Sequence, residues 1–253
     1  MQHILMSKDT FTGVTLQTLD DKAFDHGIIL AQTPQQDCKM PDLPKLNHNQ
    51  LLERIAPIAA EQLVDGIHNR LFVPPLANAG WYKIPESSIV HARKLTKDDQ
   101  QIDWNRSGGA IERQHRALGR LWNELSVDAK MSLRLIFEDM SLVPSPENLA
   151  TRLNERQYDL DGLLKPHILD PDIHILVIND VHGEASEGHD RRKVLFYVKD
   201  EEDAIIIAAN DKNAIRVKNV TIGGKSSKPA AIALGPFNNA EVWQLRKHKS
   251  NQT

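Results

Sequence analysis

Two short apolar runs that flank a single carboxylate lie near the start of the sequence and most constrain its fold. In residues 9–19 (DTFTGVTLQTL), Val14 and Leu16 alternate with polar residues. Residues 24–30 (FDHGIIL) end in a second apolar run. Alternation is typical of a strand with one buried face, and a polar segment between two such runs is typical of a loop. The sequence therefore predicts two strands joined by a loop that carries Asp25.

The composition is that of a globular protein with one large or two modest domains. The chain has 253 residues, 40% of them hydrophobic and 26% charged, which are ordinary fractions for this class. No apolar run approaches the roughly 20 residues that a membrane helix needs, so we expect no membrane partner. Cys38, the one cysteine, cannot form an internal disulfide and favours a reducing compartment. His182-Gly183-Glu184 lacks the paired cysteines of a deaminase zinc site, so we expect no metal.

The charge is distributed unevenly along the chain. The net charge is -3, but residues 204–253 carry eight Lys or Arg against two acids, so the preceding part is acidic. A basic terminal segment on an acidic chain favours an anionic partner, with nucleic acid as the first candidate. A solvated basic surface remains the alternative.

The middle of the chain predicts helices joined by proline-containing segments. Within residues 49–66 apolar residues recur at helical spacing, but Pro57 lacks an amide hydrogen and its ring clashes with the preceding turn. We therefore predict two short helices that meet near Pro57. Residues 70–103 have no sustained period and are interpreted as a connector. Ser107 can cap a helix that continues through Leu121.

Short apolar runs typical of strands dominate the second half of the chain. They are rich in Ile, Val, Phe and Tyr and are bounded by charged or turn residues. The runs lie at residues 132–137, 173–178, 194–198, 204–209 and 214–222. Strands so short and closely spaced predict a small β-barrel or sandwich. Residues 141–172 are interpreted as an insertion.

Three segments resemble methionyl-tRNA formyltransferase. The first is residues 9–30, since in that family a Gly-Val-Thr strand leads into a loop with the active-site Asp. The second is residues 94–104 (KLTKDDQQIDW), similar to the family's interdomain segment and followed by Arg116-Ala117-Leu118. The third is residues 204–234, where two strands and Gly223-Gly224-Lys225 resemble the last strands of the C-terminal barrel. Around these motifs the resemblance covers most of the chain, interrupted at residues 141–172 and around 179–192.

This resemblance implies an α/β remnant of a Rossmann-like formyltransferase domain followed by a C-terminal, OB-like β-barrel domain. The expected boundaries are residues 1–80 for the remnant, 81–104 for a linker, and 105–253 for the barrel with its insertion near 141–172. The family's catalytic Asn and His and most of its folate-binding motif would precede Met1. We therefore expect a chain of the eukaryotic, mitochondrial type that lacks the N-terminal part of the catalytic domain.

The activity implied by the resemblance is formyl transfer from 10-formyltetrahydrofolate to the amino group of methionyl initiator tRNA, for translation initiation. Asp25 matches the catalytic Asp, which in the family fixes and polarises the His that acts with the Asn on the oxyanion. Because those partners are missing here, we expect the 253-residue chain to be inactive alone. No cofactor-binding residue is identified. The family implies a mitochondrial location, although these residues contain no recognisable targeting peptide, and we expect a monomer.

Five basic residues are candidate tRNA contacts. Three recur at helical spacing and two follow the last predicted strands: Arg113, Arg116, Arg120, Lys225 and Lys228. Contacts of such residues with phosphates supply affinity without sequence specificity. A solvated helix face is the alternative for the arginines.

Two other functions stay open. In one, the chain is a non-catalytic tRNA-binding fragment. In the other, it is part of a sugar-nucleotide formyltransferase, which the basic C-terminal segment fits less well than it fits tRNA.

Overall fold

The fold has two compact units, Met1–Leu95 and Thr96–Thr253, named here the N-terminal unit and the barrel unit. The structure is a computed structural model of the chain. It describes residues 1–21, 27–81, 92–127, 131–147, 149, 172–179 and 192–237. Within these residues no helix is long and apolar enough to cross a bilayer.

Helices and strands are numbered here in chain order. The helices of the described residues are α1 (Gln2–Met6), α2 (His48–His68), α3 (Gly108–Leu118) and α4 (Ala230–Leu234). The strands are β1 (Thr15–Gln17), β2 (Ile29–Gln32), β3 (Leu121–Ser126), β4 (Ser132–Pro144), β5 (His174–Asn179), β6 (Arg192–Lys199), β7 (Ile205–Ala208), β8 (Asn213–Ile222) and β9 (Lys228–Pro229).

The N-terminal unit contains the two strands predicted from residues 9–30. β1 and β2 pair antiparallel, with Thr15 opposite Gln32 and a register shift at Leu16 and Gln17. The helix α2 packs against both strands. Gly66 allows this close approach, because a Cβ on it would lie 2.6 Å from a methyl carbon of Leu16.

The prediction of two helices meeting at Pro57 is wrong, because α2 is one continuous helix with Pro57 inside it. Pro57 and Glu53, whose carbonyl loses its helical partner, both lie on the exposed face. Water can therefore satisfy that carbonyl and lower the cost of the proline. A capping box strengthens the start of the helix: Asn47 accepts from the Gln50 amide, and the Gln50 side chain accepts from the Asn47 amide, both at 2.9 Å.

In the barrel unit six antiparallel strands close on themselves, which confirms the predicted β-barrel. Around the barrel the order is β4-β3-β5-β6-β7-β8, and β8 pairs with β4 to complete the ring. The runs predicted as strands all form strands. β4 is longer than the run at residues 132–137 and reaches Pro144, so the first residues of the predicted insertion extend this strand.

The barrel interior is the main hydrophobic core. Phe137, Tyr197 and Leu121 are among its fully buried side chains. The Trp104 ring meets the Phe137 ring edge to face at 5.7 Å, and its indole nitrogen donates to Asn123 Oδ1 at 2.8 Å. Trp104 therefore packs as an anchor, with its one polar atom satisfied.

α3 ends earlier than predicted. It stops at Leu118 because Gly119 has a φ of 75°, a left-handed conformation that ends a helix. Leu121 instead begins β3. Ser107 is the N-cap residue, but its side chain makes no capping hydrogen bond. The Gly108 amide donates to Asp211 Oδ1 at 3.3 Å, so the cap comes from another loop.

Candidate functional site

The loop that contains Asp25 is tied together where it leaves the hairpin. Asp25 itself lies outside the described residues. The Thr18 amide donates to the Ile28 carbonyl at 3.0 Å, and the Ile28 amide donates to Thr18 Oγ1 at 2.9 Å. These bonds hold Thr18 and Ile28, the residues on either side of residues 19–27, next to each other.

Gly27 is required at this point. A Cβ on Gly27 would lie 1.7 Å from the Thr18 carbonyl oxygen, which no side chain can accept. The glycine lets the two backbones approach, so the start and the end of the loop are fixed relative to β1 and β2. The residues that flank this segment are therefore held together, and Gly27 follows the candidate catalytic Asp25 by two positions in the sequence.

A small cavity lies beside this hairpin. Its volume is about 220 Å³, and Phe11, Val14, Cys38 and Trp81 are among the residues that line it. The Trp81 indole donates to the Thr33 carbonyl at 2.9 Å. Burial, and secondarily the Asp37 carboxylate, raise the pKa of the Cys38 thiol. Cys38 is thus held as the neutral thiol and is a poor nucleophile.

The three arginines predicted to contact tRNA do not form one exposed helix face. Arg116 on α3 pairs with Glu112 four residues earlier. Arg120 follows Gly119, beyond the helix, and its Nε lies 3.3 Å from Glu138 Oε1. Arg113 is half-buried, and its Nε has no hydrogen-bond partner among the described residues.

The two predicted lysines lie near each other on an exposed turn. This turn, named here the lysine turn, comprises residues 223–227 between β8 and β9 together with Lys228, the first residue of β9. Gly223 and Gly224 adopt φ values of 58° and 75°, which fit a tight turn. Lys225 and Lys228 are both exposed.

Glu138 on β4 holds the lysine turn in place. Its carboxylate accepts hydrogen bonds from Ser227 Oγ at 2.7 Å and from Thr221 Oγ1 at 3.2 Å. The same carboxylate pairs with Arg120. The turn is therefore attached to the barrel wall by side chains as well as by the β8–β9 backbone pairing.

Acidic residues neutralise part of the basic C-terminal segment. Arg216 pairs with Asp200 and Glu202, and Lys218 Nζ lies 3.8 Å from Glu202. The hydrogen bond from Arg216 holds the pKa of Asp200 below its usual value, and the Asp200 bond raises the pKa of Arg216. Within residues 204–237, the positive excess is therefore carried by Lys225 and Lys228 of the lysine turn and by Lys212.

Sequence reasoning missed one feature of the barrel surface, a stacked pair. The Arg134 guanidinium carbon lies 4.2 Å from the centre of the Trp122 ring. Trp122 is opposite Ile136 and Glu124 is opposite Arg134 in the β3–β4 register, so Trp122 and Arg134 are diagonal neighbours. The strand alternation could have found this pair only once the register was known. No group of three or more His, Cys, Asp or Glu side chains among the described residues is arranged to hold a metal ion.

The chain is similar, over part of its length, to several methionyl-tRNA formyltransferases. No family model matches the chain. The mitochondrial methionyl-tRNA formyltransferase of Saccharomyces cerevisiae is 29% identical over 126 residues, which is 44% of this chain and 30% of the yeast protein. The mitochondrial enzyme of Bos taurus is 28% identical over 120 residues, 47% of this chain and 28% of the bovine one. The Prochlorococcus marinus enzyme is 28% identical over 170 residues, 64% of this chain and 46% of its own length.

These homologues are formyltransferases. More particularly, they are methionyl-tRNA formyltransferases, mitochondrial ones among them, which confirms the resemblance found in the sequence. The chain spans about a third of the length of the first relatives, 30% to 34%. A variant of HypX from Aquifex aeolicus overlaps 93% of this chain and 32% of its own, with a TM-score of 0.47 and 14% identity, a likeness too weak to assign a fold.

Proposed function

We propose that the chain is part of a methionyl-tRNA formyltransferase, to which it contributes the Asp25 loop and a tRNA-binding barrel. The observation that carries the proposal is the closed base of that loop. Thr18, Gly27 and Ile28 tie its two ends together, in a chain whose curated homologues are these enzymes. A fixed loop base suits a carboxylate that must hold one orientation during catalysis.

The proposed reaction is formyl transfer from 10-formyltetrahydrofolate to the amino group of methionyl initiator tRNA. The amine attacks the formyl carbon and forms a C–N bond, and the tetrahedral oxyanion then collapses with cleavage of the bond to N10. The amine loses a proton and the departing N10 gains one. Asp25 fixes and polarises the family's His, which with the Asn acts on the oxyanion and on these protons.

The 253-residue chain is proposed to be inactive alone, because it supplies the carboxylate without that His and Asn. Removing one oxyanion donor costs about 10²–10³ in rate, and removing a general acid–base group costs about 10²–10⁴. We also propose a mitochondrial location, since two of the matched relatives are named as mitochondrial.

The proposal includes a fold for each unit: a Rossmann-like domain for the N-terminal unit and an OB-like barrel for the barrel unit. We regard β1, β2 and α2 as the end of a Rossmann-like domain. An exposed apolar face on the second half of α2, with Leu63, Val64 and Ile67 all about half exposed, supports packing against further structure. The OB-like assignment of the barrel stays a prediction, since an OB fold has five strands and this barrel has six.

Within the barrel, the lysine turn is the favoured tRNA contact. Lys225 and Lys228 are exposed, and no ion pair joins them to another described residue. Arg116 and Arg120 have carboxylate partners, and binding a phosphate would require them to exchange those partners. The lysines can bind phosphates without such a loss.

Salt-dependent binding of initiator tRNA by the purified chain tests the proposal. Each phosphate contact lowers the logarithm of affinity by roughly 0.7–0.9 for each unit of the logarithm of salt concentration. Replacing Lys225 and Lys228 with Ala should make this slope shallower by about 1.4–1.8 without changing discrimination among tRNAs. Lys212→Ala is the matched control, because Lys212 is an exposed lysine just before the other end of β8.

Formylation is measured in the same preparation, with 10-formyltetrahydrofolate as donor. We expect tRNA binding without formylation. Absence of salt-dependent binding would contradict the tRNA role, and formylation at the rate of a complete relative would contradict the proposed inactivity.

The second candidate function is a tRNA-binding fragment that never takes part in catalysis. The exposed lysines of the lysine turn support binding equally in both cases. The genomic sequence upstream of the Met1 codon separates them. An in-frame Asn-x-His followed by Ser-Leu-Leu-Pro favours the enzyme, and an upstream sequence without these motifs favours the fragment.

A further inference from the structure

The stacked pair on the barrel surface is held in a defined orientation. The Trp122 indole nitrogen donates to the Lys97 carbonyl at 2.9 Å, and the Trp122 carbonyl accepts from the Ile102 amide at 3.1 Å. Trp122 is half-buried, while Arg134 is exposed. The indole is thus a fixed support, and the guanidinium lies over it towards solvent.

Arg134 differs from three other arginines of the barrel unit in having no carboxylate partner among the described residues. Arg116, Arg120 and Arg216 each pair with a carboxylate. Arg134 has no ion pair with any described residue, although Glu124 stands directly opposite it in the register. The acid opposite Arg134 in the register therefore does not neutralise it.

Glu124 is engaged elsewhere. Its Oε2 accepts from Asn179 Nδ2 at 2.9 Å and from Ser132 Oγ at 3.3 Å. These bonds direct the carboxylate towards β5 and the start of β4. Arg134 consequently keeps a full positive charge and a planar face, and that face rests on an aromatic ring.

The lysine turn begins next to this pair. The Gly223 amide donates to the Arg134 carbonyl at 2.9 Å, so the turn starts beside the backbone of the stacked arginine. Lys225 is two residues further on and exposed. A planar cation and two exposed lysines are thereby placed on neighbouring parts of one barrel wall.

We propose that the Arg134–Trp122 pair is a stacking platform for one unpaired nucleobase of the bound RNA, with the lysine turn contacting the adjoining phosphates. This inference rests on the proposed function for the class of partner and adds the mode of contact. Guanidinium planes and aromatic rings both stack on exposed bases, whereas bases inside a duplex are already stacked on each other. The platform therefore selects unpaired over paired RNA.

The test compares single-stranded RNA of about ten nucleotides with a duplex of the same length, a span within one barrel's site size. The chain is assayed whole, as wild type and as Arg134→Lys, which keeps the charge and removes the planar group. We expect the variant to bind the single strand about 5- to 150-fold more weakly, the range for loss of one stacked base. Its duplex affinity and the salt slope should stay at the wild-type values, because the number of cations is the same.

Two further variants complete the experiment. Trp122→Leu should reproduce the selective loss, with thermal unfolding recorded to verify the fold. Arg106→Lys is the matched control, since Arg106 is an exposed arginine of the same unit, and it should bind both RNAs as the wild type does.

The outcomes separate this inference from the proposed function. Equal single-strand affinity for wild type and Arg134→Lys, or an equal loss on both RNAs, would overturn the platform. If the lysine-turn variant still shows its shallower slope, the tRNA role survives that result. If neither RNA nor initiator tRNA binds at low salt, both proposals are wrong.

Discussion

Among the described residues, the barrel unit covers most of its large apolar side chains, whereas the N-terminal unit leaves many of them in water. Phe137, Leu135 and Tyr197 in the barrel are completely buried. In the N-terminal unit, Ile67 and Phe72 are 54% and 56% exposed. An apolar surface of this kind marks a face that other structure covers. The comparison teaches that the barrel holds its own core, while the hairpin and α2 leave an apolar face uncovered by the described residues.

Strand pairing explains part of the difference. In the barrel every strand of the ring has a partner on both sides, so its backbone groups are satisfied within the unit. β1 and β2 form a sheet of two strands, which is marginal in water without additional packing. The contrast between the units can be tested at matched pairs of residues.

The largest contrast should come from two phenylalanines. Phe137→Ala removes a fully buried ring that contacts Trp104, and it should lower the free energy of unfolding by about 3–5 kcal/mol. Phe72→Ala removes an exposed ring and should change the same quantity by less than about 0.5 kcal/mol. Urea unfolding followed by circular dichroism measures both. Similar losses at the two positions would show that the N-terminal unit is as well packed as the barrel.

A smaller effect is expected at the buried hydroxyl of Tyr197. Its oxygen has no hydrogen-bond partner among the described residues, and burial raises its pKa to about 12. Because the folded pKa is the higher one, ionisation of this hydroxyl favours the unfolded chain, so the free energy of unfolding is unaffected below the usual tyrosine value near 10 and falls as the pH rises towards 12. Tyr197→Phe should stabilise the chain by about 1 kcal/mol at neutral pH and should abolish this alkaline loss.

Thermal melts of the wild type and of Tyr197→Phe between neutral pH and pH ~11 measure the difference. If the melting temperatures of the two proteins fall equally as the pH rises, the Tyr197 hydroxyl reaches a hydrogen-bond partner or solvent.

The smallest contrast compares two ion pairs. Asp200 with Arg216 in the barrel is largely shielded, with side chains 21% and 23% exposed, whereas Asp42 and Arg54 in the N-terminal unit are nearly half exposed. Asp200→Asn should cost up to about 1 kcal/mol, and Asp42→Asn should cost less. Arg216 lowers the folded pKa of Asp200, so its contribution is present above the usual value near 4 and is lost as the pH falls through the folded pKa.

Melting temperatures at neutral pH and below pH ~4 measure this pair of variants. If Asp42→Asn lowers the melting temperature more than Asp200→Asn, the more buried ion pair is not the one that contributes more to stability.

The elements with a strong local signal were predictable from the sequence. Runs such as 194–198 and 214–222 became β6 and β8 because branched and aromatic side chains pack well on a pleated surface. The continuity of α2 was not predictable, because exposure of Pro57 depends on which helix face meets β1 and β2. The end of α3 was also not predictable, because Gly119 ends it by adopting a left-handed φ. The spacing of apolar residues, which predicted a helix through Leu121, contains no information on that angle.

The site was harder to predict than the fold, because it depends on contacts between residues that are far apart in the sequence. The basic charges of residues 204–253 were visible in the sequence, but the acids that neutralise Arg216 precede that segment. The Arg134–Trp122 pair requires the β3–β4 register. Glu138 became important only because β8 closes against β4 and brings Thr221 to it.

That closure also sets the order in which the barrel can form. β4 pairs with β8, and three strands lie between them along the chain. During synthesis from the N-terminus, β3 and β4 therefore exist for some time before the strand that seals the ring has been made. Joining such distant segments is slow, since loop entropy is lost before the contacts form. Until Ile222 has left the ribosome, the open edge of β4 can pair with other chains, so early contact with a chaperone would favour correct folding.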